Sequence, residues 1–473
     1  MAKKFFLHTA ALTGSKLAVS ASQVVILPII ATYLTVEDFG AVALAMTVVI
    51  FSQLFSDAGI GRSLIRQKEF VQAEWNTVFW FLVLVGLALM GIVVLLAPIV
   101  AHSFEVPIAG PLLTALSIVP FCFAVAAVPA AKIERDGEFP KFALIELIAA
   151  VLGLAIAVWF AVKGAGPWAL AAQSITIAAV RLSLVTVLSS YTYSLPFRFT
   201  NIIRHMIFGR DTIGVAIMIA VQRQVPVMMV GYFLGQASLG LYAMGHRVWN
   251  IPTMALTGPF SQTAYARMTR LQDEPGAIAE VFIVTTRLLA CIVFPPVVIM
   301  AAVAPDVFAY LLSEPWRLAG EIYTLAAFGV ALECVISTSN PMYQAADKSF
   351  IRLRVASERA VLRILAIGVA LPFGIKGVAL MITLFSVVFT LRELSYARRA
   401  DNFSRRRAIY AILPAAGVSI AAAVALYIWN IVQGDVSGLL VIGEAGVVLP
   451  ATWGVILALQ YRQLKAGLGI LGR

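Results

Sequence analysis

The sequence predicts an all-α integral membrane protein of about 14 transmembrane helices, and three observations carry that fold class. Of the 473 residues, 61% are hydrophobic and only 12% are charged, whereas a soluble domain is nearer half apolar and a quarter charged. The apolar residues gather into stretches long enough to cross a bilayer, about 20 residues each. Lys and Arg fall on alternate connections between those stretches, as the positive-inside rule requires. A water-facing particle of this composition would lack the polar residues to cover its surface, which excludes a soluble enzyme. The same apolar richness excludes a disordered chain.

The stretches lie near 11–34, 38–61, 76–101, 110–131, 141–162, 166–190, 210–232, 237–262, 281–303, 319–342, 358–373, 376–394, 408–431 and 438–460. The first follows a basic head, Met1 to His8, and runs apolar to Leu34 with no convincing cleavage site, so it reads as a retained span and not a signal peptide. Only the short turn Phe373-Gly374-Ile375-Lys376-Gly377 divides the eleventh stretch from the twelfth. With the N-terminus inside, cytoplasmic segments hold 29 of the 35 Lys and Arg residues, including Arg398, Arg399, Arg405, Arg406 and Arg407. Outward segments hold three, Lys163, Arg317 and Lys376, and three more, Arg181, Arg223 and Arg247, fall inside apolar stretches. The count predicts a multi-pass membrane protein with both termini cytoplasmic. The net charge of +11 is then mostly a topology signal, and no nucleic-acid partner is expected.

The same reading bears on chemistry. No connection is long enough to hold a soluble catalytic module. No paired carboxylates, nucleophile motif or phosphate-cradling glycine loop stands out, so the chain is not expected to be an enzyme. Cys122, Cys291 and Cys334 sit in apolar stretches without CxxC spacing, and His8, His102, His205 and His246 are scattered. Neither disulfide nor metal site is expected, and no cofactor.

The chain also repeats itself. At an offset of 200, Tyr33-Leu34-Thr35-Val36-Glu37-Asp38-Phe39-Gly40 lies against Phe233-Leu234-Gly235-Gln236-Ala237-Ser238-Leu239-Gly240, and Ala43 falls on Ala243. Each block marks the outward turn between the first two helices of its half. At an offset of 210, Gly164-Ala165-Gly166-Pro167-Trp168-Ala169-Leu170 lies against Gly374-Ile375-Lys376-Gly377-Val378-Ala379-Leu380, between the fifth and sixth helices. Two parallel six-helix lobes are expected, 1–195 and 196–400, with two additional helices in 401–473.

These blocks also carry a family resemblance. Residues 33–46, followed by Gln53-Leu54-Phe55-Ser56-Asp57-Ala58-Gly59-Ile60-Gly61 and Leu64-Ile65-Arg66-Gln67-Lys68-Glu69, resemble the start of polysaccharide transporter family proteins. These are the Wzx-type O-antigen and exopolysaccharide flippases of the multidrug/oligosaccharidyl-lipid/polysaccharide exporter superfamily. The resemblance implies a flippase that moves an undecaprenyl-diphosphate-linked oligosaccharide across the inner membrane by alternating access, for lipopolysaccharide or exopolysaccharide biosynthesis. It further implies coupling to an H⁺ or Na⁺ gradient, and work beside a polysaccharide polymerase and a chain-length regulator. A cationic cavity carries over as a type of feature, without positions. Alternatives are a cation-coupled drug exporter or a lipid II flippase of the same superfamily. A membrane polysaccharide polymerase is a different class, and it would need a sizeable extramembrane catalytic loop.

Independently of any family, an ionisable side chain in hydrocarbon usually faces a cavity or a partner. Arg223 and Arg247 each lie 12 residues from Gly235 along their own helices, about 18 Å at 1.5 Å per residue, which predicts matching depths near the midplane. Gln222 and Gln224 flank the first, and His246 and Asn250 accompany the second. Guanidiniums bind diphosphates and carboxylates bidentately, so these residues are candidate substrate ligands, with structural pairing as the alternative. Arg181 and Lys16 are further candidates nearer the cytoplasmic boundary, and Gln23 lies at the level matching Arg223 in the first half. Glu333, mid-helix in the tenth stretch, reads as a lone acid able to bind H⁺ or Na⁺, with pairing to an arginine as the alternative. Asp57 and Glu146 are expected to pair with cations of nearby inward loops.

Overall fold

The structure, a computed structural model, describes residues 28–57, 64–65, 70–194, 202–252, 257–274, 276–434 and 437–472. Among these residues all regular structure is helical. By packing, the chain forms two compact units, Met1–Ala243 and Met244–Arg473. That division follows contacts, whereas the repeat boundary expected at 195/196 follows sequence register.

Eleven helical stretches among the described residues are long and apolar enough to cross a membrane. Two of them are double. The helix α7 (Ile202–Pro252) runs for 51 residues, which would make about 76 Å of unbroken helix against a hydrocarbon core of about 30 Å. It breaks at Gly235, whose φ of +84° is open to a residue without Cβ. The helices α12 (Ser349–Ala370) and α13 (Gly374–Ala400) are likewise divided by one 3₁₀ turn and Gly374 at φ +70°. Counting the halves separately gives thirteen described crossings, and the expected first stretch lies mostly outside the described residues.

The first unit opens with α1 (Val36–Asp57) and α2 (Gln72–Ser103). A bent pair follows, α3 (Ala109–Leu116) and α4 (Ile118–Arg135), then α5 (Phe139–Val162), α6 (Trp168–Leu188) and the start of α7. Thr35 caps α1 reciprocally: its N–H donates to Asp38 Oδ2 at 3.0 Å, and Asp38 N–H donates to Thr35 Oγ1 at 3.1 Å. The turn before α6 carries Gly164 at φ +73°, and its counterpart 210 residues on, Gly374, has nearly the same φ. The leading glycines of the second repeat block therefore share a left-handed φ.

In the second unit, α8 (Gly258–Arg270) leads to α9 (Ala277–Leu312), the helix against which α10 (Arg317–Ile336), α14 (Arg405–Gln433) and α15 (Gly438–Gly472) all pack. Short α11 (Ser339–Ala345) links α10 to α12. Inside a bilayer every backbone carbonyl needs an internal donor, and proline removes the one four residues before it. In α9, Pro295 frees the carbonyl of Cys291, and Trp453 Nε1 of α15 donates to it at 3.0 Å. Pro305 frees the carbonyl of Ala301, and Thr324 Oγ1 of α10 donates to it at 2.6 Å. Gly320, one turn before Thr324, lets α10 come close enough: a Cβ there would lie 2.6 Å from Pro305 Cα. Two of the helices round α9 are thus fastened at its prolines.

Candidate substrate and coupling site

Three helices of the second unit build a buried charged cluster. α10 supplies Glu333, α12 supplies Arg359 and Arg363 one turn apart, and α13 supplies Ser386 and Glu393. Arg363 Nη1 donates to both carboxylate oxygens of Glu333, at 3.1 and 2.9 Å, and Ser386 Oγ donates to Oε1 at 2.6 Å. Arg359 pairs with Glu393, whose Oε1 also accepts from Ser339 Oγ at 2.5 Å. The Arg359 guanidinium lies 5.0 Å from the centre of the Phe389 ring. At the basic end of α12, Glu358 receives Arg354, Arg392 and the Tyr396 hydroxyl at 3.2, 2.8 and 2.6 Å.

The backbone explains why these groups meet. Gly329 sits one turn before Glu333, and a Cβ on it would lie 2.6 Å from Thr383 Cα, so α10 and α13 touch there. Thr383 Oγ1 accepts from Gly329 N–H at 3.2 Å and donates to the Leu325 carbonyl at 2.6 Å. The close approach sets Ser386 against Glu333 one turn further on.

Two expectations need correction here. Glu333 is not a lone acid, because Arg363 reaches it from a helix 30 residues away in sequence. The tally of three arginines inside apolar stretches is also short by the bounds of those stretches, since Arg287 falls within 281–303 and Arg359 and Arg363 within 358–373, and all three lie in membrane-capable helices. Arg359 and Arg363 are tolerated there because an acid from a neighbouring helix neutralises each.

In the first unit, Arg181 Nε donates to Glu146 Oε1 at 2.6 Å, linking α6 to α5, and its guanidinium lies 4.7 Å from the Phe123 ring centre. Glu146, expected to pair with a loop cation, instead meets this arginine from within the adjacent antiparallel helix. Arg223 is exposed on the first half of α7, and Gln222 and Gln224 are half-buried beside it. In the second unit, His246, Arg247 and Asn250 are half-buried on the second half of α7. Asn250 Nδ2 lies 2.9 Å from His246 Nδ1, and the imidazole meets Trp249 edge-on at 5.5 Å. Lys16 and Gln23 lie outside the described residues.

The two repeat blocks also touch, which their sequence likeness does not foretell. A Cβ on Gly40 would overlap the carbonyl of Gln236, and a Cβ on Gly240 would overlap the carbonyl of Val36. Those positions exchange under the offset of 200, so each block's glycine admits the other block's backbone in the same way. Gln236 Nε2 adds a hydrogen bond to the Glu37 carbonyl at 2.7 Å. All of these residues belong to the first compact unit.

Between α14 and α15 runs an apolar groove of about 770 Å³, lined by Ala422, Leu426, Trp429, Leu440, Gly443 and Val447. Glu444 stands in its wall and accepts from Trp429 Nε1 at 3.0 Å and Gln433 Nε2 at 2.9 Å.

Comparison with known proteins places this architecture. The family model described as "Polysaccharide biosynthesis protein" matches residues 29–320, more than half of the chain. The chain belongs to this family. Among its relatives, the succinoglycan biosynthesis transport protein ExoT of Rhizobium meliloti is 26% identical over 73% of this chain and 70% of its own. The lipopolysaccharide biosynthesis protein WzxC of Escherichia coli is 22% identical over 65% of this chain and 64% of its own. The teichuronic acid biosynthesis protein TuaB of Bacillus subtilis is 20% identical over 66% and 65%. Of solved structures, the lipid II flippase MurJ in an inward closed conformation shares the fold at a TM-score of 0.76, covering 97% of this chain and 99% of its own at 14% identity. An inward-facing multidrug transporter of the MATE family follows at 0.64, covering 82% and 97% at 14% identity. The chain thus joins membership of a polysaccharide biosynthesis family to the fold of these membrane proteins.

Proposed function

We propose that this chain is a flippase that carries an undecaprenyl-diphosphate-linked oligosaccharide from the cytoplasmic to the periplasmic leaflet of the bacterial inner membrane, by alternating access. Family membership carries the reading: three relatives named for three different polysaccharides align with 65–73% of this chain. Such polymers have in common a lipid-linked precursor that must cross the membrane. The Lys/Arg count supports cytoplasmic termini, and the matched glycine turns support six-helix repeats over 1–195 and 196–400 followed by an additional pair in 401–473. A polymerase and a chain-length regulator would take the flipped unit onward. The apolar groove between α14 and α15 has the character a polyprenyl chain needs.

In this reading Arg223, with Gln222 and Gln224, and Arg247, with His246 and Asn250, are diphosphate or sugar ligands. Lys16 and Arg181 are entry-side contributors, and Gln23 lines the cavity at the level of Arg223. Glu333 is the coupling site for H⁺ or Na⁺. Arg363 holds the place beside Glu333 that a bound cation would take, so loading the carboxylate must release the guanidinium. The assay is restoration of surface polysaccharide in cells lacking their own flippase, together with flipping of fluorescent lipid-linked oligosaccharide in vesicles. Arg223→Ala should insert normally and flip slowly, and wild-type flipping by that variant would remove the ligand role. Glu333→Gln should flip without regard to an imposed gradient, and unchanged gradient dependence would remove it as the coupling site.

The extent of the fold match to the lipid II flippase supports a second reading, lipid II as cargo. Rescue of cells depleted of their lipid II flippase, with no effect on surface polysaccharide, would favour it.

A further inference from the structure

The seam between α9 and α15 contains more donors than acceptors. Val284, Arg287 and Cys291 follow one another at spacings of three and four, so they share one face of α9. Gly467, Leu464 and Gln460 share one face of α15 in the same way. The two faces meet at both ends: Val284 packs on Gly467, and Cys291 Sγ lies 3.5 Å from Gln460 Oε1. Arg287 therefore enters the seam between these contacts. Its Nε is buried and finds no acceptor among the described residues. Gln460 is only 1% exposed, and its Nε2 is also buried without an acceptor among them.

Nothing anionic nearby is free to serve them among the described residues. Glu280 lies one turn before Val284 on α9, but Arg407 of α14 holds both of its oxygens, at 2.6 and 3.0 Å. Asp401 accepts from the Ala279 N–H at 2.8 Å. The surroundings are otherwise basic, with Arg405, Arg406, Arg462 and Lys465 exposed at the same end of α14 and α15. Just past Gln460, Leu457 and Leu459 are 53% and 64% exposed on the apolar length of α15. A phosphate-bearing molecule at Arg287 would thus have cations on one side and an apolar wall on the other, which is the layout of a lipid head and its chains.

We propose that the α9–α15 seam binds the phosphate of an anionic phospholipid through Arg287 and Gln460. On the proposed topology this lipid belongs to the cytoplasmic leaflet, and the site is separate from the substrate ligands proposed above. The Arg287 guanidinium has the fork that grips phosphate oxygens, and the Gln460 amide adds a neutral donor.

The test uses the full chain, purified and stripped of lipid, and measures binding alone. Phosphatidylglycerol and phosphatidylethanolamine of identical chains are added separately, and bound lipid is counted by native mass spectrometry alongside thermal unfolding. Wild type should retain phosphatidylglycerol about tenfold better and unfold at a higher temperature with it. Arg287→Gln should abolish the preference, Arg287→Lys should keep part of it, and Gln460→Met should weaken it severalfold. Inorganic phosphate alone should neither compete nor stabilise. The proposal is overturned if wild type holds both lipids equally, if Arg287→Gln keeps the full preference, or if inorganic phosphate reproduces the stabilisation. Should Arg287→Gln not fold, an unchanged preference in Gln460→Met overturns it instead. Flipping is not measured, so failure here leaves the flippase reading standing.

Discussion

At the scale of single residues, the buried pair Arg359–Glu393 shows what keeps charge inside this protein. Glu393 is 1% exposed, and each of its neighbours named above either donates to it or neutralises it. Removing one partner leaves the other charged in a medium that cannot solvate it, at a cost of about 3–5 kcal/mol. Replacing both with apolar residues of similar volume removes the desolvation problem along with the attraction. Glu393→Gln or Arg359→Met alone should therefore lower the thermal midpoint markedly, while Arg359→Met with Glu393→Leu should recover most of the loss. Thermal unfolding of the purified variants checks this, and additive losses would mean that the two side chains do not act as a pair. The sequence shows Arg359 and Arg363 at a helical spacing of four, but Glu333 and Glu393 lie on other helices, so no linear count could join them. That is also why Glu333 reads as a lone acid in the sequence.

At the scale of elements, α9 is held by its own defects. Pro295 and Pro305 each strand a carbonyl in a region without water, and a donor from a different helix recovers each. Leaving a buried acceptor unmade costs about 1–3 kcal/mol, whereas a carbonyl with its helical donor restored needs no outside help. Trp453→Phe should consequently destabilise the packing of α15 on α9. In a Pro295→Ala background, where the regained backbone N–H can serve the Cys291 carbonyl, the same change should cost much less. A double-mutant cycle on thermal unfolding tests the coupling, and a Trp453→Phe cost that is the same in both backgrounds would refute it. The later spans and the glycine turns were legible, because backbone rules and hydropathy act locally. The partners of the two prolines were not, since Trp453 and Thr324 are ordinary residues until the fold brings them to a free carbonyl.

At the scale of the whole molecule, the repeat visible in the sequence has a physical counterpart in the reciprocal glycine contact. Gly40 and Gly240 occupy equivalent positions, and each meets the carbonyl of the residue equivalent to the one that meets its partner. An exchange of this kind is expected where two copies of one motif face each other across a local two-fold axis, and it explains why neither glycine can carry a side chain. The offset of 200 made the two blocks legible as relatives, but sequence register alone says nothing about whether related turns touch. On the proposed topology these turns lie at the periplasmic surface, so alternating access must part them each time cargo leaves. A covalent link across the contact should then stop transport without unfolding the protein. Glu37→Cys with Gln236→Cys puts one cysteine in each block, at two residues now joined by the hydrogen bond from Gln236 Nε2 to the Glu37 backbone carbonyl. Oxidation should form the disulfide and abolish flipping of lipid-linked oligosaccharide in vesicles, and reductant should restore it. Each single-cysteine variant should flip normally under both conditions. If the oxidised double variant forms its disulfide and still flips at the wild-type rate, the turns do not part, and cargo must leave by a route that keeps this contact closed.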